Sequence, residues 1–496
     1  MAPSAISNGV SNLANGHSPK LEFETYYNLI NNELTKTAKS RHNINPATTE
    51  PNAEVPVSTQ EDVDKAVAAA RAAFKTWSKT TLEERGEKLV AYADAIDGHK
   101  DDFAKLLTSE QGKPLAQSYV EIGMATSWLR AFSTMKIPDE VIEDNEDLLI
   151  IHTNVPLGVV GGIVPWNYPI LLAVGKIAPA LITANTLILK PSPYAPYCNL
   201  KLAELAARLF PPGVLQALSG AEDLGPMFTT HPDIDKIAFT GSIATGKKVM
   251  AAAAPTLKRV TLELGGNDPA IICDDVDVEA IIPKLANVSF LCCSQICMMI
   301  KRLYVHESIY ARFLAAFVAH TRAFKVGPGT DPDVFIGPVQ NKMQFDKVRT
   351  MYQHIAAENW TPALGGDVPD PDPTGKGYFF TPTIIDNPPE DSAIVTEEPF
   401  GPILPVLKWK DEEDVIGRAN ATKTGLGASV WSKDLARAER MARRLEAGSV
   451  WVNSHFDVAP GVPFGGHKWS GVGMEWGVLG LKGYCNPQTL WLKKGV

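Results

Sequence analysis

Three cysteines fall within six positions in the stretch Leu291-Cys292-Cys293-Ser294-Gln295-Ile296-Cys297-Met298-Met299-Ile300, half of the six in the 496-residue chain. Clustered thiols can bind zinc, fill a core or supply a nucleophile. Zinc wants a second ligand pair at short spacing. The other cysteines, Cys198, Cys273 and Cys485, are solitary and no His pair stands nearby, so the spacing argues against a metal. Cys292 and Cys293 sit in an apolar run and read as core. Cys297, in a Gln-x-Cys context, reads as a catalytic thiolate because of what the rest of the chain brings to it. A thiolate is strongly nucleophilic near neutral pH and attacks carbonyl carbon.

The elements that must position it alternate between strand and helix. Short apolar runs at 159–164, 186–189, 214–218, 236–239 and 259–264 read as strands, with helices at 200–209 and 245–254. That alternation predicts an α/β fold with a parallel, doubly wound sheet, whose ligands bind at the carboxyl ends of the strands. Four strand ends carry unusual residues: Asn167 in Pro165-Trp166-Asn167-Tyr168-Pro169, Lys190 before Pro191-Ser192, the pair Gly241-Ser242, and Glu263. The G-x-G-x-x-G fingerprint is absent; Gly241 and Gly246 stand five apart, so a pyrophosphate must be held differently.

Upstream, Ser58 and Glu61 form a capping-box pattern. Behind it Val63, Val67, Ala70, Phe74 and Trp77 make one apolar helix stripe. Residues 81–135 continue as helix-like sequence until Pro138, and 147–155 read as a strand. In the second half, 302–305 reads as strand, 308–325 as helix, 364–378 as a surface loop and 403–408 as strand. A helix marked by Leu435, Met441 and Leu445 closes at Gly448, then 449–453 reads as strand, and 463–466 and 470–473 as turns.

A chain of this length exceeds one core and predicts two or three domains. The formal charge of −9 argues against a nucleic-acid partner. No run of 18 apolar residues predicts a membrane span. Residues 1–20 have no apolar core and no Arg, so they read as a disordered tail rather than a targeting signal. Six cysteines in so long a chain fit a reducing compartment, and a cytoplasmic enzyme is the simplest expectation.

Seven ordered words resemble the aldehyde dehydrogenase superfamily: Pro-Trp-Asn-Tyr-Pro (165–169), Leu-Lys-Pro-Ser (189–192), Phe-Thr-Gly-Ser (239–242), Glu-Leu-Gly-Gly (263–266), Gln-Ile-Cys (295–297), Glu-Glu-Pro-Phe-Gly-Pro (397–402) and Pro-Phe-Gly-Gly (463–466). The 34 positions between Glu263 and Cys297 match that family's separation of base and nucleophile. The resemblance implies a Rossmann-like cofactor domain (21–134 and 156–264), an α/β catalytic domain (265–455) and a small bridging β element for oligomerisation (135–155 and 480–496). It also implies a homodimer or homotetramer.

By the same resemblance Cys297 attacks an aldehyde to give a thiohemiacetal. Asn167 and the Cys297 N–H hold the oxyanion, Glu263 activates water against the thioester, and Lys176 and Glu475 stand where proton-relay residues are found. Cofactor contacts are expected from Trp166, Lys190, Ser192, Gly241, Ser242, Gly265, Glu398 and Phe400, and Gly265-Gly266 allow close backbone approach beside the base. Three positions depart from the family pattern. Ser294 stands where Gly usually precedes Gln-x-Cys, and Met474 where an Arg often precedes Glu475. Pro193 replaces a carboxylate that would repel a 2′-phosphate, so the cofactor is NAD or NADP.

The positions matching the substrate tunnel are Tyr168, Leu172, Gly175, Leu291, Ile296, Met298, Phe456, Val458 and Phe464. They are nearly all apolar, with no Arg for a second carboxylate and no aromatic–acid cage for a quaternary amine. The expected substrate is a hydrophobic aliphatic or aromatic aldehyde, with the tunnel widened at Gly175. The alternatives are a CoA-acylating dehydrogenase, which needs no base such as Glu263, a thiol esterase, which needs no cofactor grip, and a non-catalytic protein that retains the fold.

Overall fold

The computed structural model describes residues 21–495, and the tail expected over 1–20 lies outside them. The first large sheet is built on five parallel strands: β1 (Val159–Ile163), β2 (Thr186–Lys190), β3 (Leu215–Ala217), β4 (Lys236–Thr240) and β5 (Arg259–Glu263). They lie in the order β3-β2-β1-β4-β5. The winding reverses between β1 and β4, and in such sheets the crevice past the carboxyl ends at that reversal takes the ligand. β1 to β3 are buried along their whole length, as expected of strands covered on both faces.

The antiparallel pair Asn28–Ile30 and Glu33–Thr35 extends one edge of this sheet. Gly471–Val472 extends the other by pairing with β5, Gly471 opposite Glu263. That pairing corrects the reading of 470–473 as a turn alone: the segment is a short edge strand that fixes the residue expected to be the base.

The second sheet takes Thr361–Leu364, Thr383–Asp386, Ile403–Trp409, Ile300–His306, Asp268–Ile272, Gly427–Trp431 and Ser449–Val452, in that order, parallel except for the first pairing. A third sheet joins Glu140–Asp144, Leu148–Pro156 and Cys485–Lys493. Its long ladder runs in unbroken register from Cys485 opposite Pro156 to Lys493 opposite Leu148.

Local chemistry moves several expected boundaries. The capping box sits one residue later than the Ser58/Glu61 pattern: Thr59 caps Gln60–Trp77 and Asp62 reaches back to it. Ser58 is instead buried, donating to the Ser219 carbonyl at 2.7 Å and accepting from Asn28 at 2.9 Å. Along the stripe Val63, Val67, Ala70 and Trp77 are buried and Phe74 is half-buried. Residues 81–135 form three helices, Leu82–Asp97, Lys100–Gln111 and Leu115–Phe132, broken at Gly98 and Gly112. The helix expected to run to Gly448 is Leu435–Ala442; Leu445 packs in the turn beyond it.

One buried ion pair sets the start of the helix that follows β1, α1 (Pro169–Ile182). Lys113 and Glu121 are in contact, both side chains fully buried. Glu121 accepts from the Ile170 and Leu171 N–H groups at 2.8 and 3.2 Å, satisfying donors at the helix N-terminus. Lys113 donates to the Asn167 carbonyl at 2.9 Å and lies over the Tyr168 ring, 3.5 Å from its centroid. Lys113→Met should therefore lower the unfolding free energy by about 3–5 kcal/mol in a denaturant titration, because Glu121 keeps a buried charge with no cation. The double variant Lys113→Met/Glu121→Gln should recover part of that loss; equal stability of Lys113→Met and wild type would contradict the pair's role.

Candidate active site

Past the ends of β1, β4 and β5 opens a cavity of about 750 Å³. Its lining includes Trp166, Asn167, Thr240, Gly241, Ser242, Gly265, Cys297, Glu398 and Phe400. Seven of the residues picked from sequence thus meet in one space together with Cys297. Trp166 and Phe400 meet edge to face at 5.4 Å and form an aromatic wall.

Cys297, the expected nucleophile, is held by its neighbours' backbone. After the helix Val278–Phe290 the chain makes a tight turn through Cys292, Cys293 and Ser294, all left-handed, at φ 52°, 57° and 58°. This explains the pattern at Ser294: a left-handed site favours Gly, and here Ser fills it with its hydroxyl bonded to the Ser289 carbonyl. Gln295 is the staple. Its amide donates to the Cys292 and Pro338 carbonyls at 3.1 and 3.3 Å and accepts from the Gln340 N–H at 2.9 Å. The Gln of Gln-x-Cys therefore anchors the loop rather than touching the cleft.

Asn167 is 5% exposed, and its side-chain NH2 donates to the Gln295 carbonyl at 2.8 Å. That bond aims the amide at the Cys297 loop and leaves its second N–H for the cavity. The Cys297 N–H donates to no described residue, so two donors border the sulfur. Burial pushes the Cys297 thiol up to about 12, with the Lys301 ammonium opposing and the carboxylates of Glu398, Asp268 and Glu263 adding to it.

Glu263 ends β5, opposite Thr240 on β4. Both of its carboxylate oxygens are buried without a partner among the described residues. Burial, then the nearby Glu475, hold it well above the usual carboxylate range, against the pull of Lys176. A neutral, unpaired carboxyl is poised to accept a proton once it ionises. Behind it Lys176 bonds Glu475 at 2.7 Å and Thr240 at 2.8 Å, fully out of solvent. Both expected relay residues thus form one pair, joined by Thr240, which sequence reading did not single out.

Glu398 leans over the two glycines. A Cβ on Gly265 would lie 2.5 Å from the Glu398 carboxylate, and one on Gly266 would lie 2.5 Å from the Cys297 carbonyl. Gly266, facing main chain, therefore requires glycine, whereas at Gly265 the Glu398 side chain could turn aside; the expected close approach at Gly266 is what joins the two sheets at Cys297. Ser242 caps the helix Ile243–Ala253, accepting from the Thr245 N–H at 3.2 Å, and its helix N-terminus borders the cavity. A helix N-terminus, an aromatic wall and a carboxylate in one crevice fit the pyrophosphate, ring and ribose of a dinucleotide.

Lys190 and Ser192 are not among the described residues lining this cavity. Lys190 donates to the Pro191 carbonyl at 3.1 Å and is brought down to about 8 by burial and by Arg41, with Glu222 opposing. Ser192 accepts from the Tyr194 N–H at 3.2 Å. They sit at the end of the adjacent strand β2.

Residues 34–490 match the profile of the aldehyde dehydrogenase family. The chain belongs to the aldehyde dehydrogenase family. It is an NAD(P)-dependent enzyme of that family, as the motifs implied. It is 41% identical over 476 residues to the putative aldehyde dehydrogenase FUS7 of Gibberella fujikuroi, covering 96% of this chain and 100% of that one. It is 39% identical over 458 residues to the chloroplastic betaine aldehyde dehydrogenase of Beta vulgaris, covering 89% and 91%. The solved betaine aldehyde dehydrogenase of Staphylococcus aureus in complex with NAD+ superposes with a TM-score of 0.92 at 35% identity, covering 96% of each chain.

Within this aldehyde dehydrogenase the expected tunnel residues belong to the large apolar core beside the first sheet, and none of them is among the described residues lining the cavity. Tyr168, Ile296, Met298 and Phe464 are buried in that core, and Leu172, Leu291, Phe456, Val458 and Cys297 pack against it. Gly175 does not widen the tunnel as expected. The indole of Trp476 fills the space, 3.0 Å from where a Gly175 Cβ would be, stacked on Phe464 at 5.1 Å. Sequence reading missed Trp476 because its place beside Gly175 depends on the Phe464 to Glu475 bridge. It also missed Lys301, a buried cation in the second-sheet strand Ile300–His306; two adjacent basic residues, Lys301 and Arg302, inside a buried strand are the signal that marks it.

Two outcomes follow for the enzyme. Gly266→Ala should cut kcat/KM by about 10²-fold at unchanged far-UV circular dichroism, because a Cβ there displaces the nucleophile's backbone. Because burial holds both Cys297 and Glu263 in their proton-bound forms, kcat/KM should rise with pH from about pH 6 to about pH 9. A profile falling over that range would contradict the assignment.

Proposed function

We propose that this chain oxidises a hydrophobic aliphatic or aromatic aldehyde to its carboxylic acid. The observation that carries the reading is the placement of Cys297 between the Asn167 amide and the glycines that follow Glu263. In this reading the Cys297 thiolate adds to the aldehyde carbon, and the oxygen is held by Asn167 and the Cys297 N–H; one such donor lowers the barrier by about 3–4 kcal/mol. The nicotinamide cofactor, when bound, supplies the hydride acceptor. Glu263 then takes a proton from water as it attacks the thioester at Cys297, and passes the proton toward Glu475 and Lys176. NAD is the favoured cofactor, in line with the NAD+-bound Staphylococcus aureus relative. Lys190, Ser192, Trp166, Gly241, Ser242, Gly265, Glu398 and Phe400 are its proposed contacts.

The apolar core supports an apolar substrate. An ammonium already lies over the Tyr168 ring from Lys113, which argues against a quaternary amine at that face, unlike the betaine aldehyde of the Beta vulgaris relative's name. We also propose the division into a cofactor domain, a catalytic domain and a bridging element at the boundaries given above. A homodimer or homotetramer fits the exposed Val141, Ile142, Trp491 and Leu492 on the three-stranded sheet. No described helix is long and apolar enough to cross a membrane, and a cytoplasmic location is proposed.

The test is absorbance at 340 nm with NAD+ and NADP+ across an aldehyde panel. Benzaldehyde and hexanal should exceed succinic semialdehyde and betaine aldehyde in kcat/KM, and Cys297→Ala should abolish turnover. Glu263→Gln should retain a burst of one equivalent of reduced cofactor while steady turnover falls by about 10²-fold or more. A CoA-acylating enzyme would instead turn over only with CoA and be indifferent to Glu263→Gln.

A further inference from the structure

Lys301 is 2% exposed and is used by none of the steps above. Its ammonium donates to the Ile296 carbonyl at 2.7 Å, to the Cys297 carbonyl at 3.1 Å and to the Met299 carbonyl at 3.5 Å. It also stands 3.4 Å from a carboxylate oxygen of Glu398. One buried cation thus touches the backbone of the nucleophile and the acid that leans over the cofactor crevice. A buried ammonium is retained only where its donors are satisfied and its charge is matched, and Lys301 meets both conditions at this loop alone.

From this geometry we propose that Lys301 is the positioning residue of the nucleophile. It fixes the carbonyls on either side of the Ile296–Cys297 peptide, holds Glu398 as a carboxylate at the crevice, and supplies the positive field in which Cys297 ionises. The proposal rests on the reading of Cys297 as the nucleophile and adds a source for its thiolate. The other ionisable groups facing Cys297 are Glu398, Asp268 and Glu263, and each, where ionised, disfavours a thiolate. Asp268, from the adjacent strand, is itself raised to about 8 by burial, with Lys301 opposing. The nearby His455 donates its Nε2–H to the Met298 carbonyl, 3.0 Å away, and is held neutral, down to about 3, by burial. Lys301 is therefore the cation that offsets burial at this sulfur.

The experiment reads the thiol without cofactor or aldehyde, so its failure is separable from failure of the proposed reaction. The probe is iodoacetamide, with labelling assigned to Cys297 by peptide mass spectrometry and its rate followed upward from about pH 6 until it levels off. Alkylation replaces iodide at carbon and needs the thiolate. In Lys301→Met the inflection should move up by about one pH unit or more, with the rate at pH 7.5 down about tenfold, the size expected for loss of one adjacent opposite charge. Lys301→Arg, which keeps the charge, should stay close to wild type. Unchanged inflection in a folded Lys301→Met overturns the proposal, since a merely structural lysine would alter stability and leave titration alone. Should that variant not fold, Lys301→Gln carries the test: it keeps N–H donors for the Ile296 and Cys297 carbonyls but removes the charge, so the inflection should again move up, and no movement overturns the proposal.

Discussion

Everything at this site depends on two stretches of backbone lying closer than any side chain allows. Gly266 meets the carbonyl of Cys297, and Gly265 meets the carboxylate of Glu398. The first stretch follows the last strand of one sheet and the second precedes a strand of the other. Their contact brings Gly265 from one sheet and Cys297 and Glu398 from the other to the wall of one cavity. A Cβ at Gly266 would separate them, because the Cys297 carbonyl cannot rotate away as the Glu398 side chain beside Gly265 can.

Around that contact the sequence places polar groups where an apolar core would have been easier to build. Lys113 and Glu121 set the loop that carries Asn167, Lys176 and Glu475 lie behind Glu263, and Lys301 lies beneath Cys297. Each of these lysines is nearly or fully buried, and each has a named carboxylate beside it. Burying such pairs rarely adds net stability over well-packed hydrophobic residues. Their distribution is better understood as fixing where the reacting groups point, since all three pairs touch the segments that carry Asn167, Glu263 or Cys297.

How much of this was legible in the chain itself depended on the range of the interaction. Strand ends such as Asn167, Glu263 and Ser242 could be found because local punctuation by Gly, Pro and Asn marks where strands stop. The seven motifs then joined them to Cys297. The Thr59 cap was displaced from Ser58 because Ser58 is recruited by Ser219 and Asn28, partners far away in sequence. The strand at Gly471–Val472 read as a turn because its pairing with β5 is made some 200 residues away. Trp476 filling the space over Gly175 could not be read at all: whether a missing side chain leaves room depends on who else arrives, and that is settled only by packing.

The left-handed run before Cys297 has one more effect. Three consecutive residues with side chains in that region, each costing about 1–2 kcal/mol, turn neighbouring side chains to opposite sides of the loop. Cys292 enters the core of the first sheet, and Cys293 enters that of the second. Adjacent in the chain, these two sulfurs are parted by the wall they help to build. An oxidant diffusing into the crevice therefore encounters Cys297, while its two neighbours remain shielded in separate cores, so oxidative damage and its repair converge on a single atom.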